Sequence, residues 1–221
     1  MFNWLQPFCS HRPYALPANT FAAGQAPTPS VLLVHGYACN HAVWLDLQPA
    51  LAAAGYRCEA IDMEPVLGDI DAYADALLSR IEQLVASTGQ APLLVCHSMG
   101  GLVARAALAK GAQDLCAGVV TLGTPHHGCA LARFGIGRNA RQMRCGSAWL
   151  KALATAEAPA LRARLVSIFS WHDSIAGPSC TSWLDGARHM PLSGIGHVSL
   201  LRDPRAVTAV VAALATLRTA P

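Results

Sequence analysis

LLVCHSMGGL, Leu93 to Leu102, decides the fold. Its first half is an apolar run of strand length. Its second half opens a helix that continues through VARAALAKG to Gly111. Ser98 stands at the crossing. A serine in a tight turn between a buried strand and a helix has its hydroxyl pushed out of the backbone, and the first amides of the helix point to the same place. The pattern is Gly-x-Ser-x-Gly with Cys96 in place of the first glycine. Strand and helix approach closely two residues before and two after the serine, so both positions must be small. Gly100 is, Gly101 gives further room, and Cys96 is compact and apolar. Taken alone, the pattern fits either an exposed nucleophile or a plain helix cap.

The chain around this turn repeats its rhythm. VLLVHG (31–36) ends in a glycine turn, and YRCEAID (56–62), PLLVCH (92–97), CAGVVTLG (116–123), RLVSIFS (164–170) and ARHMPL (187–192) read as further strands. Helical spacing is expected over 42–54 up to Gly55, over 69–87 with Tyr73, Ala76, Leu77, Ile81, Leu84 and Val85 on one face, and over 99–111. Asp203-Pro204 caps a last helix reaching about Leu217. Segment 124–160 breaks the rhythm and is rich in Gly, Arg and His, with a helical piece near 148–155. Continuously apolar strands must be covered on both faces. Alternating with amphipathic helices, they predict an α/β fold with a mostly parallel central sheet. Residues 18–30, rich in Ala, Pro and Thr, read as a linker, which divides the chain into an N-terminal extension (1–30) and one catalytic-size domain (31–221).

Composition narrows the function. Of 221 residues, 53% are hydrophobic and 13% charged, which supports one large core and excludes a disordered chain. The net charge of +3 comes from scattered residues without a basic-aromatic stripe, so nucleic acid is not an expected partner. The eight cysteines include no Cys-x-x-Cys pair, and no metal is expected. Cys58, Cys96 and Cys116 lie in apolar runs, as small buried hydrophobes do. Cys145 and Cys180 lie in polar, loop-rich stretches where a disulfide is sterically open to them. The opening MFNWLQPF has neither the charged start nor the apolar stretch of a secretory signal, and no run has the length of a membrane span. The expectation is a cytoplasmic protein or the water-facing part of a membrane-anchored one.

A serine needs a base, and the base needs an orienting acid. In a fold of this kind the order along the chain is serine, acid, histidine, each leaving a strand. Asp173 leaves RLVSIFS within SWHDSI, and His197 follows ARHMPL within GIGHVSLL. Asp185 is a second candidate acid but does not directly leave a strand, and Asp203 follows the histidine. His126 and His127 precede the acid, while His172 and His189 lie beside or inside strand ends. At the end of the first strand, His35-Gly36 permits a sharp turn. The Tyr37 amide can then face the same point as the Met99 amide, making two donors for an oxyanion.

VLLVHGYACN, VCHSMGGLVAR, TLGTPHHG, SWHDSI and GIGHVSLL together resemble the α/β-hydrolase superfamily, and within it the bacterial triacylglycerol lipase and esterase group. The resemblance runs from about Val31 to Leu217. It implies Ser98 as nucleophile, His197 as base, Asp173 as acid, and the Tyr37 and Met99 amides as the oxyanion hole. Cys96 is a departure that leaves the turn intact. FNWLQPF resembles a stretch that follows a hydrophobic anchor in some similar bacterial proteins.

The implied reaction is cleavage of a carboxylic ester through an acyl-enzyme, with no cofactor. Thioester or polyester hydrolysis and a non-catalytic binding module are the alternatives. His35, Trp149, Ile175 and Trp183 are candidates for the acyl pocket. Segment 124–160 is too short for a large lid domain, so a small lid or none is expected, with short- to medium-chain esters as substrates. The partners are a small-molecule or lipid ester and, compatible with that substrate, a lipid interface.

Overall fold

A computed structural model describes residues 29–219. The N-terminal extension, the anchor-like FNWLQPF stretch, Cys9 and most of the linker lie outside the described residues.

Among the described residues, six strands form one sheet in the order β2-β1-β3-β4-β5-β6. They are β1 (Ser30–Val34), β2 (Arg57–Ile61), β3 (Leu93–His97), β4 (Gly118–Leu122), β5 (Leu165–Ser170) and β6 (Arg188–Leu192). Every neighbouring pair is parallel, so the sheet is wholly rather than mostly parallel. The reason is visible in the strands. β1, β3, β4 and β5 are buried along their whole length, and only β2 and β6 at the edges are partly exposed.

Successive side chains of a strand point to opposite faces. Leu32, Val34, Leu94 and Cys96 join one core with α2 (Ile70–Thr88), α3 (Met99–Ala109) and α5 (Ala148–Ala156). Val31, Leu33, Val95, Val120 and Ile168 join the other with α1 (Gln48–Ala53) and α7 (Pro204–Thr219). Asp69 caps α2 by accepting from the Asp71 amide, and Gly89 ends it in the left-handed conformation. The buried face of α2 uses Ala74 where the helical spacing suggested Ala76, which is exposed.

Two expected elements differ in detail. The helix expected over 42–54 is a 3-10 turn, His41–Trp44, followed by α1, because Pro49 can start a helix but cannot sit inside one. Segment 124–160 contains α4 (Gly137–Gln142) as well as α5, and α6 (Pro159–Ala163) follows directly. Neither short helix has the apolar periodicity that would betray it. Cys96 and Cys116 are buried and Cys58 half-buried, and burial raises their thiol pKa values, to about 12 for Cys58 and Cys116. Cys145 and Cys180 are exposed free thiols, not a disulfide.

α3 is buried nearly all round, and one of its buried residues is charged. The Arg105 guanidinium is gripped by both oxygens of Glu157, at 2.5 and 2.8 Å, and donates to the His126 carbonyl at 3.0 Å. This pair ties the helix behind Ser98 to the chain between α5 and α6. Among the described residues, no helix is long and apolar enough to cross a membrane.

Candidate active site

The carboxyl ends of parallel strands are where such sheets bind ligands. β3 ends at His97, and Ser98 follows with φ 54° and ψ −122°. A non-glycine residue there is strained by about 1–3 kcal/mol. A capping serine would have extended backbone and would accept a bond from its helix. Ser98 has neither, and its side chain makes no capping bond. Close packing enforces the turn. A Cβ on Gly100 would collide with the Val34 and His35 carbonyls, and one on Gly36 would lie 3.0 Å from Ser98 Cβ. The turn after β1, which carries Tyr37, therefore lies directly against Ser98. Met99 is the first residue of α3, so its amide has no acceptor within the helix.

The Ser98 amide donates to the Leu122 carbonyl at 2.9 Å, which sets the end of β4 beside it. The next residue, Gly123, has φ 57°; a Cβ there would stand 3.0 Å from Asp173 Oδ2 and 3.1 Å from His197 Nδ1. The loops after β3, β4, β5 and β6 thus meet at one place. Asp173 Oδ2 and His197 Nδ1 are 2.7 Å apart in a buried hydrogen bond. Asp173 Oδ1 accepts from the Ile175 and Ala176 amides, both at 2.9 Å. Burial alone would raise the Asp173 pKa. The bond and charge of His197 and the two amides outweigh it and hold the carboxyl below its ordinary value. The acid is therefore ionised, and it fixes the imidazole with Nε2 as the free nitrogen.

Three residues without a motif of their own hold these loops. Ser170 Oγ accepts from the His172 and Ile195 amides, at 3.2 and 3.3 Å, joining the loop of Asp173 to that of His197. His41 and Asp62 bond at 2.6 Å and close the loop that begins at Gly36. None of the three has a spacing that flags it in the sequence.

His97 is the third buried group against the pair. Its ring lies 4.6 Å from that of His197, and its Nε2 is 3.3 Å from the His197 carbonyl. A carbonyl only accepts, so Nε2 carries the proton. Burial, followed by the nearby His197, lowers the His97 pKa to about 3. Burial also lowers the pKa of His35, and burial with the Arg105 charge puts that of His126 well below the ordinary 6.5. Histidines depressed in the folded state take up protons more readily when unfolded. Stability should therefore fall as pH drops below about 6.5, by up to roughly 1.4 kcal/mol per pH unit for each such histidine. Denaturant unfolding at about pH 7 and about pH 5 checks this. Equal stability at the two values would mean that these histidines already bind protons in the fold.

The residues considered for a pocket are placed differently. His35 is buried, with Nδ1 2.9 Å from the Gly36 carbonyl and Nε2 accepting from the Met63 amide at 3.1 Å. Both ring nitrogens face backbone, which leaves none to meet a ligand. Trp149 donates its indole proton to Asp71 at the start of α2, at 2.9 Å. Trp183 is stacked on His189 at 3.7 Å. Ile175 is exposed on the loop of Asp173. Of the four, His35 begins the turn that lies against Ser98, with its ring turned to backbone, and Ile175 is carried by the loop of Asp173. Asp185 is exposed, and its backbone carbonyl accepts from Arg162. Among the described residues no group of His, Cys, Asp and Glu is arranged to hold a metal ion.

A hydroxyl on a strained turn, an imidazole oriented by a buried carboxylate and the first amide of a helix beside them form a set suited to acyl transfer. Comparison with known proteins places the chain in a family. The model of the alpha/beta hydrolase fold family matches residues 29–144. A triacylglycerol lipase of Burkholderia plantarii is 34% identical over 131 residues, covering 55% of this chain and 36% of that protein. One of Pseudarthrobacter phenanthrenivorans is 33% identical over 126 residues, covering 53% and 38%. The aligned part is thus well under half the length of either relative. Among solved structures, the mature lipase of Bacillus licheniformis superposes with a TM-score of 0.72 at 19% identity, covering 87% of this chain and 93% of that one. Lipase B of Aspergillus fumigatus gives 0.76 at 17% identity, covering 90% and 55%. At such identities these two structures bear on the fold alone.

Proposed function

Because the chain belongs to the alpha/beta hydrolase fold family, we propose that it is a carboxylic ester hydrolase of the lipase and esterase type, working through Ser98, His197 and Asp173. The observation that carries this reading is the buried 2.7 Å bond between His197 and Asp173 beside the strained Ser98 turn. His197 Nε2 takes the Ser98 proton as Oγ attacks the ester carbonyl. Asp173 holds the ring and stabilises the imidazolium that forms. The negative oxygen is bound by the Met99 and Tyr37 amides, and losing one such donor typically costs about 3 kcal/mol of transition-state stabilisation. Collapse expels the alcohol, which leaves with the proton from His197. Water, deprotonated by His197, then attacks the acyl-Ser98 ester, and the carboxylic acid departs as the serine regains its proton. Every step uses groups of this chain, and no cofactor takes part.

Two relatives named triacylglycerol lipase support an ester of fatty acid and alcohol as the substrate class. The short segment between β4 and β5 favours short to medium acyl chains. p-Nitrophenyl esters from acetate to palmitate test both points. Turnover should be highest for the short and medium esters and fall at palmitate. Cleavage of acyl thioesters with no turnover of any oxygen ester would make the protein a thioesterase instead. No turnover of either kind would leave only a binding role.

A further inference from the structure

Leu131, Phe134 and Ile136 are 49%, 76% and 71% exposed within six residues of chain. Large apolar side chains so exposed and so close together mark a surface that something else covers. The surface lies beside the proposed site. The Tyr37 hydroxyl donates to the Ile136 carbonyl at 2.8 Å and accepts from its amide at 3.1 Å. At its other end, Cys129 Sγ donates to the Ile175 carbonyl and the Ala130 amide to that of Gly177, both on the loop of Asp173. The apolar stretch is held between the Tyr37 loop and the Asp173 loop.

Its charge indicates what covers it. The sequence holds no acidic residue between Asp114 and Glu157, and Arg133, Arg138, Arg141 and Arg144 lie within the apolar stretch or just after it, with the Arg133 guanidinium 5.3 Å from the centre of the Phe134 ring. All four are exposed. Arg138 is paired with Asp69 at 2.7 Å. Among the described residues, the other three form no ion pair with a carboxylate. Arg144 reaches only the carbonyls of Ala132 and Arg133. A second copy of the chain would bring the same uncompensated arginines face to face, since a twofold contact pairs a patch with itself. Apolar side chains that protrude with cations at their edge suit an interface with a hydrocarbon interior and anionic head groups.

We propose that Leu131–Arg144 is a docking surface for a negatively charged lipid–water interface, with Leu131, Phe134 and Ile136 inserted and Arg133, Arg141 and Arg144 on the head groups. Docking there sets the mouth of the site, between the loops of Tyr37 and Asp173, against the lipid. Binding needs no turnover, so it stands or falls apart from the ester chemistry.

The test is co-sedimentation of the full chain with vesicles of ether-linked lipids, which contain no cleavable ester, made of phosphatidylcholine alone or mixed with phosphatidylglycerol. Binding is expected on the mixed vesicles, weak on the neutral ones, and reduced by salt. An arginine near an anionic surface contributes about 1 kcal/mol, roughly fivefold. Arg133→Gln with Arg141→Gln should therefore weaken binding to mixed vesicles roughly 30-fold. Hydrolysis of a soluble p-nitrophenyl ester should be unchanged, which shows that the fold and the site are intact. Phe134→Ser with Ile136→Ser should weaken binding to both vesicles. Equal binding to neutral and mixed vesicles, or none to either, would overturn the proposal. So would a dimer in sedimentation velocity that Phe134→Ser dissociates, because a second copy would then be the occupant.

Discussion

Ser98→Ala is expected to abolish ester hydrolysis and leave the fold in place. Removing the nucleophile of a serine triad typically costs about six orders of magnitude in turnover. The residue left behind is strained in the same way, since alanine at φ 54° is no better placed than serine. The lost hydroxyl made no capping bond to α3, so its removal leaves the helix as it was. The Thr124 hydroxyl and the Gly101 amide still reach the carbonyl of residue 98, at 2.9 and 3.1 Å. The thermal midpoint should stay within a few degrees of the parent. A variant that keeps a substantial fraction of the parent rate would remove Ser98 from the chemistry.

Asp173→Asn should lower turnover roughly 10⁴-fold. Asparagine keeps the shape, and its oxygen can still accept from the Ile175 and Ala176 amides. Its amide group then faces His197 Nδ1, which must become an acceptor. The ring proton moves to Nε2, and the base is blocked. The carboxylate that stabilised the imidazolium is lost as well. Asp185→Asn should change turnover little, because Asp185 is exposed and its backbone carbonyl, not its carboxylate, receives Arg162. Rates for the two variants in one assay decide between them, and the opposite ranking would move the acid to Asp185. The depressed carboxyl of Asp173 has a further consequence. Its contribution to stability is complete above its ordinary value of 3.8 and is lost as pH falls through the lower folded value. This loss sets in only below 3.8, whereas the buried histidines already act from 6.5 downward.

The parts of the fold legible in the sequence are those where one local pattern serves one global demand. Apolar runs such as LLVCH and LVSIFS can only be central strands, and both are buried along their length. Helix α7 starts at Pro204, where Asp203-Pro204 announces it. α4 and α6 are five or six residues long, and so short a helix shows no period.

The site divides in the same way. Ser98, Asp173 and His197 each leave a strand in a fixed order, which the sequence displays. The groups that hold them reach across the chain and leave no local trace. Ser170 meets Ile195 through its hydroxyl, His97 meets the His197 carbonyl, and Arg105 pairs with Glu157. Trp149 and Trp183 show what residue type alone does not display. Each looks like a lining residue by type, and each is turned to another partner, Asp71 and His189. The exposed Leu131, Phe134 and Ile136 are hidden differently, because a list of apolar residues says nothing of which ones the fold fails to cover.

The most direct test of Ser98 as nucleophile is its covalent capture. The native protein would be treated with a fluorophosphonate, digested, and every peptide weighed by mass spectrometry. The proposed mechanism predicts a single phosphonyl adduct, on Ser98, forming in step with the loss of ester hydrolysis and absent from Ser98→Ala. An adduct on another residue that tracks the loss of activity, with Ser98 unmodified, would contradict it.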